Sequence, residues 1–245
     1  MKKIIILGLV IFAIIIGIKL SVKLDGMTFV FLGDSLIEGY GNDNKGVDYY
    51  LSEYLPNSML INNSKSGSTI TDNTGTDNII LINQIKSLEI NPDIIIFNGG
   101  ANDIMGYALE YLNNDLKKEI GIVDPNLNNI SGDTVIGDLE EAIIEMQKEY
   151  PEAKLCYVQM FLMDDATINI ITNDEEKKLE IKKRRNEFYG QIEILCQKRN
   201  VDYIDVTDKF VGTGTKYRQD DGIHLRENGY KLIVPYILDE LKKII

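Results

Sequence analysis

The sequence predicts an α/β fold in three layers, with helices covering both faces of a five-stranded parallel sheet. Three observations carry this. Short β-rich apolar runs alternate with helical patterns from residue 27 to the C-terminus. The run 93–97 (DIIIF) is apolar without alternation, which suits a parallel strand buried on both faces. Strand-like runs close on glycine or asparagine, at Gly33 and at Asn98-Gly99-Gly100, where a chain turns from strand into crossover.

The elements follow in order. Residues 27–32 (MTFVFL) form the first strand, and 47–55 a helix stopped by Pro56. A short strand is expected at 58–61. Residues 62–75, rich in Ser, Thr, Asn and Gly, form a polar loop. Residues 76–88 have helical spacing, with Ile79, Ile80, Ile82 and Ile85. The third strand is 93–97. Residues 103–133 are irregular, with three glycines and Pro125. A helix at 134–150 ends at Pro151, and a strand follows at 153–161. Acids at 174–176 mark the start of a helix reaching about Arg199. Its KK and KKRR runs read as a solvated face. The last strand is 201–206 and the last helix 227–244. Right-handed crossovers then give a flavodoxin-like strand order, 2-1-3-4-5, with ligands at the carboxyl ends of the strands.

Residues 24–245 read as one domain, without repeats or an internal linker. Residues 1–23 stand apart. Met1-Lys2-Lys3 precedes an apolar block at 4–18, and Lys19 and Lys23 follow. As a helix, the block through Val22 spans roughly 28 Å, close to a hydrocarbon core. No small-residue cleavage site and no cysteine follow it. An N-terminal transmembrane anchor is therefore expected, with the domain outside the cytoplasm. Secretion after signal cleavage is the alternative.

Composition excludes several function classes. The 245 residues hold 26 Lys and Arg against 38 Asp and Glu, a net charge of −12. An acidic surface repels phosphate backbones, so no nucleic-acid partner is expected. Two cysteines, Cys156 and Cys196, exclude a disulfide scaffold and a cysteine-rich zinc site. Both read as buried apolar thiols, with a disulfide between them the alternative. His224 is the only histidine, which excludes chemistry needing two imidazoles. No phosphate-binding glycine motif occurs, and neither a cofactor nor a metal is expected.

Four strand ends carry candidate chemistry. Gly33-Asp34-Ser35-Leu36 follows the first strand and puts a hydroxyl on a strand-to-helix turn. Taken alone, it equally reads as a helix cap by Asp34 or Ser35. Ser66-Gly67-Ser68 lies in the polar loop, where Gly67 lets a backbone N–H approach a ligand. Gly100-Ala101-Asn102-Asp103 follows the third strand, and an amide there can donate to an oxyanion. Asp221-Gly222-Ile223-His224 precedes the last helix. A spacing of three lets the carboxylate fold back on the imidazole and fix its tautomer. Serine is a weak nucleophile until a base takes its proton, and this chain offers one imidazole to do so.

Together these motifs resemble the SGNH, or GDSL, hydrolases over about residues 27–240. FLGDSL and DGIHL are the specific matches and GxND a moderate one. The resemblance implies Ser35 as nucleophile, His224 as general base and then acid, and Asp221 as its orienting carboxylate. It implies an oxyanion hole from the N–H groups of Ser35 and Gly67 and the side chain of Asn102. Asp34 and Asp103 would tie loops together. The implied activity is ester hydrolysis without a cofactor, on small acyl esters such as O-acetyl groups of cell-surface glycans. Lipid esters, transfer of the acyl group to a sugar hydroxyl, and a non-catalytic binding protein are the alternatives.

Overall fold

The computed structural model describes residues 24–71, 80–105, 118–126, 128 and 131–244. Five strands, β1 (Thr28–Leu32), β2 (Met59–Asn62), β3 (Ile94–Phe97), β4 (Lys154–Gln159) and β5 (Asp202–Asp205), form one parallel sheet in the order β2-β1-β3-β4-β5. This is the expected order. Every residue of β3 is buried, as its unbroken apolar run requires. The edge strands β2 and β5 are only partly covered.

Eight α-helices are described: α1 (Ser35–Glu38), α2 (Val47–Ser52), α3 (Leu81–Lys86), α4 (Ala101–Met105), α5 (Val135–Glu149), α6 (Asp165–Ile171), α7 (Glu175–Arg199) and α8 (Glu227–Ile244). On one face α2 packs against α8. On the other α5 packs against α3 and α7. The caps explain the boundaries. Thr134 accepts from Gly137 N at 3.0 Å to start α5. Asp174 accepts from Glu176 N at 2.9 Å and Lys177 N at 3.2 Å to start α7.

Several expectations change. The short helices α1, α4 and α6 and a 3-10 turn at Thr207–Phe210 were not foreseen, and α4 runs into the segment expected to be irregular from 103. Within 76–88, the described helix is confined to α3, and residues 72–79 lie outside the described residues. The basic run on α7 is not wholly solvated. Arg184 is buried and donates to Lys118 O at 3.1 Å and Asp103 O at 3.0 Å. A helix is long enough that one basic residue in four turns inward and finds carbonyls. Cys156 and Cys196 are both free and buried, so the disulfide alternative is not realised. Burial pushes both thiols up, Cys196 to about 12. The expected transmembrane helix at 1–23 lies outside the described residues. Among those described, no helix is long and apolar enough to cross a membrane.

Candidate active site

The first strand delivers the candidate nucleophile. β1 ends at Leu32, and Gly33 turns the chain with φ +131°. A Cβ there would stand 1.8 Å from Asn98 Oδ1, so only glycine fits. Asp34 caps α1 by accepting from Leu36 N at 2.9 Å. Its carboxylate also accepts from Asn98 Nδ2 at 2.9 Å, while Asp34 N donates to Asn98 Oδ1 at 3.0 Å. This pair joins the end of β1 to the end of β3. Asp34 is thus the structural cap and tie, and Ser35 occupies the first helical position. The Ser35 N–H is one of the donors a helix leaves without an internal partner.

The C-terminal loop brings the imidazole to that serine. His224 Nδ1 lies 2.7 Å from Asp221 Oδ2, and His224 Nε2 lies 2.9 Å from Ser35 Oγ. With the Nδ1 proton donated to the carboxylate, Nε2 is left to accept from the hydroxyl. Asp221 Oδ1 accepts from Ile223 N at 2.8 Å and His224 N at 3.0 Å. Burial works against ionised Asp221, but its bonds from His224 and the two backbone amides prevail and hold its carboxyl at about 2.

Gly67 and Asn102 close the other side. Gly67 has φ +80° with open space where a Cβ would sit, so backbone conformation alone selects glycine. Asn102 Nδ2 donates one proton to Ser68 O at 2.7 Å, and an amide nitrogen carries two. Asp103 accepts from Ile70 N at 2.9 Å, Thr71 N at 3.0 Å and Thr71 Oγ1 at 2.8 Å, tying the loop to α4. Burial pushes the Asp34 and Asp103 carboxyls up against these bonds. All of Ser35, Gly67, Asn102 and His224 line one cavity of about 310 Å³, with Leu36, Tyr40, Ser66, Ala101, Met105 and Ile223. All five expected site residues therefore converge, Asp221 from behind His224.

Three supporting residues were missed. Gln84 on α3 is 2% exposed. It accepts from Gly33 N at 2.7 Å and donates to Gly33 O and Ser68 Oγ, both at 2.9 Å. It thus clamps the residues flanking the nucleophile turn and the Gly67 turn. Its position in the apolar stripe Leu81, Ile85, Leu88 was the available signal. Glu38 accepts from Ser66 N at 2.8 Å and from Ser66 Oγ. Arg218, 1% exposed, donates to Asp164 Oδ2 at 3.0 Å, Gly214 O at 2.7 Å, Gly222 O at 3.1 Å and Thr167 Oγ. It fastens the loop bearing Asp221 and His224 to α6. Nothing in the sequence marks it, because an arginine is a surface residue by default.

Comparison with known proteins is consistent with this arrangement. No curated protein matches the chain. Solved structures with the same fold include a member of the lipolytic protein G-D-S-L family from Veillonella parvula, 16% identical, with a TM-score of 0.58 over 87% of this chain and 97% of that one. Another is an acetyl-xylooligosaccharide esterase from Geobacillus stearothermophilus, 16% identical, TM-score 0.56, over 89% and 94%. A third is a psychrotrophic esterase from Pseudoalteromonas sp., 16% identical, TM-score 0.53, over 88% and 97%. At such identity these show a shared fold. The family model for GDSL-like lipases and acylhydrolases matches residues 31–232. That span runs from β1 through the nucleophile turn and the Asp221–His224 loop into α8, and the chain belongs to the GDSL-like lipase/acylhydrolase family of ester-hydrolysing enzymes.

Proposed function

We propose that this protein is a serine esterase that removes small acyl groups through an acyl-Ser35 intermediate. The observation that carries the reading is the unbroken line Ser35 Oγ, His224 and Asp221, at 2.9 Å and 2.7 Å, opening on the cavity lined by Gly67 and Asn102. His224 Nε2 takes the hydroxyl proton as Oγ adds to the ester carbonyl. The carbonyl oxygen becomes an oxyanion, met by the N–H of Ser35, the N–H of Gly67 and the second amide proton of Asn102. His224 then gives its proton to the departing alcohol oxygen as that C–O bond breaks. Water, deprotonated by His224, repeats the sequence on the acyl-serine and releases the acid. Asp221, ionised throughout, offsets the positive charge on the imidazolium in both halves.

A cavity of about 310 Å³ is at the small end of ligand sites, which favours acetyl and other short acyl groups over long lipid chains. We place the domain outside the cytoplasm on an anchor formed by residues 1–23, with O-acetyl groups of surface glycans as substrates. The similarity to an acetyl-xylooligosaccharide esterase supports that choice. A p-nitrophenyl ester panel from acetyl to palmitoyl on residues 24–245 tests it. The rate should fall with chain length and vanish in Ser35→Ala. Palmitate as the fastest substrate would make the protein a lipid esterase.

A further inference from the structure

The proposal concerns the alcohol half of the substrate, and it rests on the esterase reading above. Tyr40 stands beside His224, their ring centroids 4.8 Å apart and tilted by 49°. It lines the same cavity as Ser35. Its backbone is held on both sides. Tyr40 N donates to Ser35 O at 3.1 Å, and Gln219 Nε2 donates to Tyr40 O at 3.0 Å. The residue as a whole, in contrast, is 51% exposed. A fixed main chain presenting an open aromatic face is a binding surface held in advance. About half of the residue stays exposed in the free protein, so packing against His224 accounts for only part of it.

Its position says which part of the ester it meets. The reacting carbon carries four groups when Oγ has added. One is Ser35 Oγ itself. The oxyanion points at Ser35 N, Gly67 N and Asn102. The departing alcohol oxygen must lie by His224 Nε2, because that nitrogen gives it its proton. The substituent on that oxygen therefore extends past the imidazole, where Tyr40 stands. The acyl group takes the remaining direction.

We propose that Tyr40 is the specificity residue for the leaving alcohol, stacking against the apolar face of a sugar ring that carries the acyl group. A pyranose presents a face of C–H bonds flanked by hydroxyls that stay in water. A half-exposed tyrosine ring at the mouth of a small cavity matches that shape. A short open-chain alcohol has no such face to offer.

The test compares two substrates with the same acetyl group, an acetylated methyl xyloside and ethyl acetate, on residues 24–245. Wild type, Tyr40→Ala and Tyr40→Phe are measured. A fluorophosphonate that labels Ser35 counts the folded, competent sites in each preparation. In Tyr40→Ala the kcat/KM ratio of xyloside acetate to ethyl acetate should fall about tenfold, the order of an aromatic stacking contact, through KM on the sugar ester. Tyr40→Phe keeps the face and should keep the ratio. An equal loss on both acetates, carried by kcat, would show that Tyr40 acts only by supporting His224. A ratio that does not move would equally overturn the proposal while leaving the esterase reading intact. Wild type that cleaves neither acetate and takes no label would defeat the esterase reading itself, and this proposal with it.

Discussion

At the scale of single residues, the site depends on which protons are already placed. Asp221 is held at about 2, so it is ionised at neutral pH. Protonating His224 removes the acceptor for the Ser35 hydroxyl, so kcat/KM should fall on the acid side as one proton binds. A log kcat/KM plot with a slope of two there would show a second essential group. The folded pKa of Asp221 is depressed, so its contribution to stability is present above the ordinary carboxylate value of 3.8 and is lost as pH falls towards about 2. Ser35→Ala should cost several orders of magnitude in kcat with an unchanged circular dichroism spectrum. Asn102→Ala should lower kcat by about 10²–10³, or ~3–4 kcal/mol, with KM little changed. A rise in KM at constant kcat would instead make Asn102 a ground-state contact.

At the scale of elements, the chemistry is mounted on strand ends and steadied by helices that touch no substrate. Gln84 shows how. One buried side chain on α3 satisfies both polar groups of Gly33 and the hydroxyl of Ser68. Gly33 O has a second donor in Lys65 N at 2.9 Å, but no other acceptor for Gly33 N is described. Gln84→Met should therefore strand a buried N–H and cost about 1–3 kcal/mol, read as a lower urea midpoint. It should also lower kcat, because the Ser35 and Gly67 turns lose their shared clamp. A variant as stable as wild type would show that water or a neighbour replaces the amide. Three of the motifs were legible because each pairs a turn former with a polar side chain, whereas Gly67 offers only a backbone N–H and was read through the resemblance. The clamps were not legible. Gln84 follows a helical stripe that ordinarily means plain apolar packing, and Arg218 finds Asp164 and Thr167 only once α6 and the C-terminal loop meet.

At the scale of the whole molecule, charge and the N-terminal block bear on the location proposed above. Beyond Lys23 the chain holds 22 basic and 38 acidic residues, so the catalytic domain is more acidic than the full chain. A glycan ester carries no phosphate, so this charge does not hinder its approach. The described residues begin at Leu24, which is buried in the core, so removing residues 1–23 should leave kcat nearly unchanged and, with the anchor proposed above gone, yield a protein free of membranes. The full chain should resist extraction by salt or alkali, since a spanning helix is held by burial. A mature N-terminus between Gly17 and Gly26, read by N-terminal sequencing of membrane extracts, would instead mean a cleaved signal.

The sequence by itself determined the class of fold and the order of the sheet, because strand and helix periods and turn chemistry are local signals that need no partner to be read. It named the five residues that the structure brings together only through the resemblance of four short motifs to a known family. Tertiary structure alone decided three things. It chose Asp34 over Ser35 as the helix cap, by adding Asn98 from a neighbouring strand end. It turned Arg184 and Arg218 from surface charge into buried braces, Arg184 on the carbonyls of Asp103 and Lys118 and Arg218 on Asp164 and Thr167, because buried acceptors need donors. And it set Tyr40 against His224, 184 residues apart in the chain yet with ring centroids 4.8 Å apart. Such contacts depend on how crossovers bring loops together, and no local pattern encodes that distance.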